Sequence, residues 1–250
     1  MTLLLHELKG ELRLYTRSRE LAFFTFMLPI IFFVLLGSVY GDEDMINGYR
    51  GPDYLLTGMI GYGVAATAFS GLAIVLVIRR ESGVLKRLRA TPLPAPVYIA
   101  AVLLTTLIAF AVEAIVLVAL AMALFDAEFP KSLPSAIAAI LLGSVAFALL
   151  GIGVSGLVRR AEGASAVITA LYLPLSFISG AFFSQQHFPA VLQKVADVLP
   201  LTYFIDLVGD VMLKGTQIWN EPKDVAVILA WGIAGAVISL RYFRWVPRED

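Results

Sequence analysis

Apolar residues in this chain come in long runs rather than in alternation. Six stretches reach or approach the roughly 20 residues a helix needs to cross a hydrocarbon core. They cover 21–40, 54–78, 97–125, 133–158, 163–183 and 224–243. Between the second and third runs the pattern changes to a short amphipathic one, Arg79-Arg80-Glu81-Ser82-Gly83-Val84-Leu85-Lys86-Arg87-Leu88-Arg89-Ala90-Thr91-Pro92-Leu93-Pro94. Leu85 and Leu88 share one helix face at i, i+3, Lys86, Arg87 and Arg89 point elsewhere, and Pro92 and Pro94 stop the helix. Residues 1–20 read as a helix lying in the membrane interface, with Leu5, Leu8, Leu12 and Tyr15 in one stripe and Lys9, Arg13 and Arg17 in another. The pattern predicts an all-α integral membrane protein of six transmembrane helices with this N-terminal interfacial helix. A five-span count would put Arg159-Arg160 and Glu162 deep in lipid, at about 2.5–3.5 kcal/mol per Arg.

Residues 184–222 are too long for a tight connection. Val191, Leu192, Val195 and Val198 recur at helical spacing, Leu199-Pro200-Leu201-Thr202-Tyr203 breaks the run, and a second run follows through Phe204, Ile205, Leu207, Val208, Val211 and Met212. Runs of about 10–14 residues suit re-entrant or interfacial helices rather than spans. They form either an outer cap over a pathway or two helices lying flat on the outer leaflet.

Composition agrees with a lipid solvent. The chain is 59% hydrophobic and 15% charged, with mean hydropathy +0.85, against about 45–50% and about 25% for a soluble domain. With no cysteines, and with His6 and His187 far apart, it offers no disulfide and no metal spacing. Net charge is zero but sorted by side. With six spans, the side of the termini and the 79–96 loop receives fourteen of the nineteen Lys and Arg, and the other side receives Arg50, Lys131, Lys194, Lys214 and Lys223. The positive-inside rule puts the termini and that loop in the cytoplasm of a cell-membrane protein, with Asp42-Glu43-Asp44, Asp126, Glu128, Asp206 and Asp210 outside. The first apolar run is too long for a signal peptide, and no small-residue cleavage site follows it.

Glu113 is the one carboxylate well inside a predicted span, which makes it a candidate pathway residue by default. The alternative is a hydrogen bond between helices, with Ser176, Ser179 and Thr67 as candidate partners. Gly153-Val154-Ser155-Gly156 matches a GxSG protease pattern, but neither histidine is placed to take the serine proton. Gly143, Gly151, Gly153, Ser155 and Gly156 read instead as small residues that let helices approach, as do Gly58, Gly61 and Gly63. Pro29 and Pro174 predict kinks in spans one and five. A P-loop needs Gly-Lys before Ser or Thr; that dipeptide occurs nowhere in the chain, so any ATPase driving it is another polypeptide.

Together these residues resemble the membrane subunit of ABC-2-type transporters, and the resemblance covers nearly the whole chain. Residues 80–92 look like the family's RExGTLxRLxATP pattern between spans two and three. Ser179-Gly180-Ala181-Phe182-Phe183, Phe188-Pro189 and Pro200-Leu201-Thr202-Tyr203 are similar to its region between spans five and six. Val84 replaces the usual threonine, and Gly209 stands near where many members carry an arginine. The resemblance implies a permease that is not itself an enzyme, paired with a second copy (a homodimer, or a heterodimer with a similar permease) and with two ATPase subunits that hold ATP and Mg. It implies that the 79–96 loop is a coupling helix seated in the ATPase, with Arg80, Glu81, Gly83, Leu85, Arg87 and Leu88 as coupling residues. Leu85 and Leu88 would be its buried anchors and the basic residues its rim. Arg159 and Arg160 occupy the place of a second cytoplasmic contact. A pathway at the dimer interface makes Phe177, Phe182 and Phe183 candidate wall residues.

The expected function is ATP-driven export of a hydrophobic or amphipathic compound, of drug or lipid class, since the spans are rich in Leu, Ala, Val and Phe. A glycan-lipid or ion exporter of the same family stays open. A secondary transporter or channel would carry charges in several spans or an inverted repeat; a membrane enzyme would carry a His, Cys or paired carboxylates. Nothing points to nucleic acid.

Overall fold

A computed structural model describes residues 2–17, 19–40, 45–46 and 48–246. Asp42, Glu43, Asp44 and Arg248, counted in the charge pattern above, lie outside the described residues. Helix α1 (Thr2–Arg17) leads into α2 (Arg19–Val39), then into a hairpin of β1 (Met45–Ile46) and β2 (Tyr49–Arg50). The second apolar run is one continuous rod, α3 (Gly51–Gly63), a π-helical segment (Val64–Gly71) and α4 (Leu72–Glu81). Then come α5 (Val84–Arg89), α6 (Ala95–Phe125), α7 (Leu133–Leu157), α8 (Ala164–Ile178), α9 (Ala190–Ala196), α10 (Pro200–Gly209), a π-turn (Asp210–Lys214) and α11 (Pro222–Tyr242). Helices α3, α6, α7, α10 and α11 each begin with proline in the first two positions, where its missing N–H is an orphan anyway.

Among the described residues, four rods are long and apolar enough to cross a membrane: Gly51–Glu81, Ala95–Phe125, Leu133–Leu157 and Pro222–Tyr242. The fifth apolar run gives a shorter apolar helix, Ala164–Ile178, and the first lies in α2, with an apolar stretch described over Phe26–Val39. The expected fifth span, 163–183, is cut back because the chain turns at Ser179-Gly180, where Gly180 has φ +86°. The second grows to 51–81 because Pro52 and the π-helical segment keep the rod continuous. The hairpin adds a small β element that the apolar pattern did not signal.

The α3–α4 rod is the core, packed on α2, α6, α7, α8 and α10. Helix α7 lies closest to α11, and small residues make that possible. A Cβ on Gly235 would meet the Leu150 backbone nitrogen at 2.6 Å, and one on Gly153 would meet the Gly235 carbonyl at 3.0 Å. The expectation that the α7 glycines allow close helix approach is met. On α6 the exposed side is an apolar stripe of Ile108, Val112, Ile115 and Met122, the face a lipid solvent would wet.

The second of the two outer runs packs into the bundle. Helix α10 packs against α3, α7 and α11 and buries Leu201, Phe204, Ile205, Leu207 and Val208. The first, α9, leaves Val191, Leu192 and Val195 exposed. At this end of the bundle Tyr49 donates to Asp210 (3.0 Å) and Lys214 pairs with the same carboxylate (2.5 Å). That bond holds the Lys214 ammonium above the usual lysine range.

Candidate functional site

The candidate site is the other end, where α4, α5, α1, the start of α6 and the C-termini of α7 and α11 meet. Helix α4 runs to Glu81 and reverses at Gly83, whose φ of +73° only glycine adopts freely. The Gly83 carbonyl accepts from the Arg87 N–H (3.1 Å), which starts α5, and Thr91 Oγ1 donates to the Leu88 carbonyl (2.6 Å), which closes it.

The turn orients α5 differently from the expected docking face. Leu85 is fully buried in the chain's own core, and Leu88 is half-buried against it. Leu85 is thus an internal anchor, because the reversal at Gly83 folds α5 back onto α4. Lys86, Arg87 and Arg89 are the exposed residues. Beside them Leu88, Arg89, Leu93, Ala95, Tyr98 and Trp245 line a notch of about 400 Å³.

Arg80 is likewise not on the surface. Its side chain is 2% exposed and each of its guanidinium nitrogens donates a hydrogen bond. Nη1 donates to the Ser155 carbonyl (2.8 Å), Nη2 to the carbonyls of Val158 (2.6 Å) and Arg159 (3.3 Å), and Nε to Glu81 Oε1 (2.8 Å). The Ser155 carbonyl is one of the unpaired carbonyls in the last turn of α7, which favour a cation, and Val158 and Arg159 follow directly as its C-cap and the first loop residue. Arg159 and Arg160 are exposed just beyond the helix.

Arg79 turns the other way. It donates to both Glu11 oxygens (2.8 Å each) and to the Tyr98 hydroxyl (2.8 Å), tying α1 and α6 to α4. The face of α1 that meets the bundle is rotated from the expected stripe: Leu5 is exposed, Leu8, Leu12 and Tyr15 are half-buried, and Glu11 is buried. Glu11 was missed as a functional residue. Its signal is a carboxylate at i+3 from Leu8 and i−4 from Tyr15, in line with the apolar stripe of the helix.

Deeper in the bundle Glu113 is 0% exposed. Of the three candidate partners Thr67 is the one: its hydroxyl donates to Glu113 Oε2 at 2.7 Å, while Ser176 donates to the Tyr172 carbonyl. Oε1 has no hydrogen-bond partner among the described residues and faces Gly63, where a Cβ would come within 2.5 Å of it. Thr105, Thr106 and Ser144 all bond their own helix four residues back. Thr67, within the π-helical segment, reaches across to α6 instead.

The three phenylalanines form an aromatic group at the far end of α8. Phe182 is buried, stacked on Phe177 (4.4 Å) and edge-on to Phe32 and Tyr62 (5.3 Å each). Phe177 and Phe183 are exposed. Glu113 faces the π-helical segment and so belongs to a separate cluster.

Residues 2–213 match the family model described as ABC-2 type transporter. The chain belongs to the ABC-2 type transporter family. Among curated relatives, the Bacillus subtilis (strain 168) protein named "Putative transport permease YvfS" is 22% identical over 236 residues, 94% of each chain. Nodulation protein J of Rhizobium leguminosarum bv. viciae is 30% identical over 109 residues, 44% of this chain and 42% of that one. The same-named protein of Rhizobium meliloti (strain 1021) is 35% identical over 113 residues, 45% and 43%. This ABC-2 chain is therefore a membrane subunit of a transporter, a transport component rather than a catalytic one, of a family whose permeases pair with an ATPase subunit.

Proposed function

We propose that the chain is the permease of an ATP-driven exporter, working as a homodimer with two ATPase subunits that bind ATP and Mg. In this reading it crosses the cytoplasmic membrane six times, with α2 and α8 as the two further spans and both termini in the cytoplasm. Its cargo is a hydrophobic or amphipathic compound, of drug or lipid class, taken from the cytoplasm or the inner leaflet. One observation carries the reading. A six-residue helix on a glycine reversal presents Lys86, Arg87 and Arg89 outward beside an apolar notch, at the end where α1 is tied in through Glu11 and Arg79 and Trp245 packs on Tyr98. That surface suits an acidic-rimmed groove on a soluble partner. With Leu85 inside, the basic rim and the Leu88 notch carry the contact.

Co-expression with a candidate ATPase and affinity purification through the permease tests this. The intact chain retains the ATPase, and a K86E/R87E/R89E variant loses it while keeping its size-exclusion profile. Full retention by that variant sinks the docking assignment.

A further inference from the structure

We propose that Arg80 is a positioning residue that locks the coupling helix to the C-terminal end of α7, so that the 79–94 and 158–163 loops move as one body. The proposal rests on the coupling reading above, but its geometry stands apart from any partner. Arg80 is the second of two arginines in the last turn of α4, one residue before Glu81 and three before the Gly83 reversal. A side chain at that position could face solvent, as those of Lys86 and Arg87 do. It is instead turned inward, with donors on both terminal nitrogens taken by three carbonyls at the end of α7.

A guanidinium fork is suited to this. It presents several donors in one plane and stays charged when buried, and the Ser155 carbonyl it meets lies in the last turn of α7, at the negative end of that helix's dipole. Glu81 closes the arrangement on Nε, with its own side chain half-buried, so two neighbouring residues of the motif hold one joint. The joint has a stiff continuation on each side. Leu85, buried in the core, fixes α5 to the same body as Arg80. Beyond the joint, α7 is packed backbone to backbone on α11 through Gly153, Gly156 and Gly235. A push on α5 is therefore passed to α7 and α11 directly, rather than by way of the span-two rod alone. Arg159 and Arg160, carried on the clamped segment, move with α5.

Distance measurement between spin labels at Ala90→Cys and Leu157→Cys tests the lock, since both positions are exposed and the chain has no cysteine of its own. In bilayer discs, with the doubly labelled chain diluted into unlabelled chain so that a dimer carries one labelled copy, the Arg80 protein gives one narrow distance, unchanged between the nucleotide-free and ATP-trapped complexes. Arg80→Gln broadens it and lets it differ between the two states, and transport per ATP hydrolysed falls severalfold while hydrolysis and ATPase retention persist. Arg80→Lys, which keeps the charge but not the fork, gives intermediate broadening and serves if the glutamine variant does not fold. A narrow, state-independent distance with normal transport per ATP in these variants overturns the proposal, as does a broad distance in the Arg80 protein itself. If the unmodified chain retains no ATPase, the coupling reading has failed. The distance width in the permease alone then still decides the lock.

Discussion

Arg79 and Glu11 meet through two parallel hydrogen bonds of 2.8 Å each, across 68 positions of sequence. Both side chains are largely buried, 19% and 7% exposed, and Tyr98 supplies a third contact to the guanidinium. The pair fastens α1 to the α4 end next to the candidate docking surface. Removing one partner leaves a charge without its mate, at a cost near the lower end of about 3–5 kcal/mol because Arg79 keeps some water contact. Glu11→Gln is expected to lower the melting temperature followed by tryptophan fluorescence. The exchange E11R/R79E is expected to recover part of the loss. A single variant as stable as the parent would show that α1 is held by its apolar face alone.

Gly235 is expected to be among the least substitutable positions in the chain. A Cβ there would overlap the backbone of α7 at Leu149 and Leu150, and backbone cannot rotate away as a side chain can. Gly235→Val forces α11 outward, at about 1–3 kcal/mol or more for overpacking. The measurements are yield and melting temperature in detergent. Gly10, with nothing within 4 Å of its Cβ position, is the control expected to tolerate alanine.

How far the residues announced these features follows from what kind of signal each one uses. Length of apolar run decided the four long rods within a few positions, because the hydrocarbon thickness acts on length alone. The same signal overstated the fifth run. Its last residues, from Ser179, stay apolar because they pack in the bundle as a turn, and apolarity does not separate a buried turn from a span. Periodicity located α5 but not its orientation. Leu85 and Leu88 do share a face, yet which body that face meets depends on Gly83, and a positive φ leaves no trace in hydropathy. Arg80 and Glu11 were illegible for a related reason. A buried charge looks like a surface charge until its partners, three carbonyls in one case and an arginine 68 residues away in the other, are brought to it by the fold. The π-helical segment had no sequence signature at all, and with it Thr67 was only one of three candidate partners for Glu113.

Gly83 separates conformation from space. Nothing stands within 4 Å of its Cβ position, so a substitution meets no neighbour, but φ of +73° disfavours every other residue. Gly83→Val is expected to cost about 1–2 kcal/mol at the reversal, while Gly83→Asn is expected to cost less because asparagine enters the left-handed region more readily. Since Leu85 fixes α5 only when the reversal is made, loss of ATPase co-purification should follow the order Val, then Asn, then Gly. Equal retention by all three would mean that the docking surface does not depend on the shape of this turn.

Glu113 and Thr67 form a polar contact between α6 and the π-helical segment, with no cation within ion-pair distance among the described residues. That geometry suits a joint between helices better than a binding point for a charged cargo. Interhelical hydrogen bonds in membranes average about 0.6 kcal/mol and reach about 1.7. A double-mutant cycle of Glu113→Ala and Thr67→Val is therefore expected to give a coupling energy within that range. Glu113→Gln offers the Thr67 hydroxyl another acceptor, so transport should persist at near-normal rate with little change in stability. If transport is abolished in Glu113→Gln while the complex assembles and hydrolyses ATP, the carboxyl is acting on the cargo or on a proton, and the joint is not its purpose.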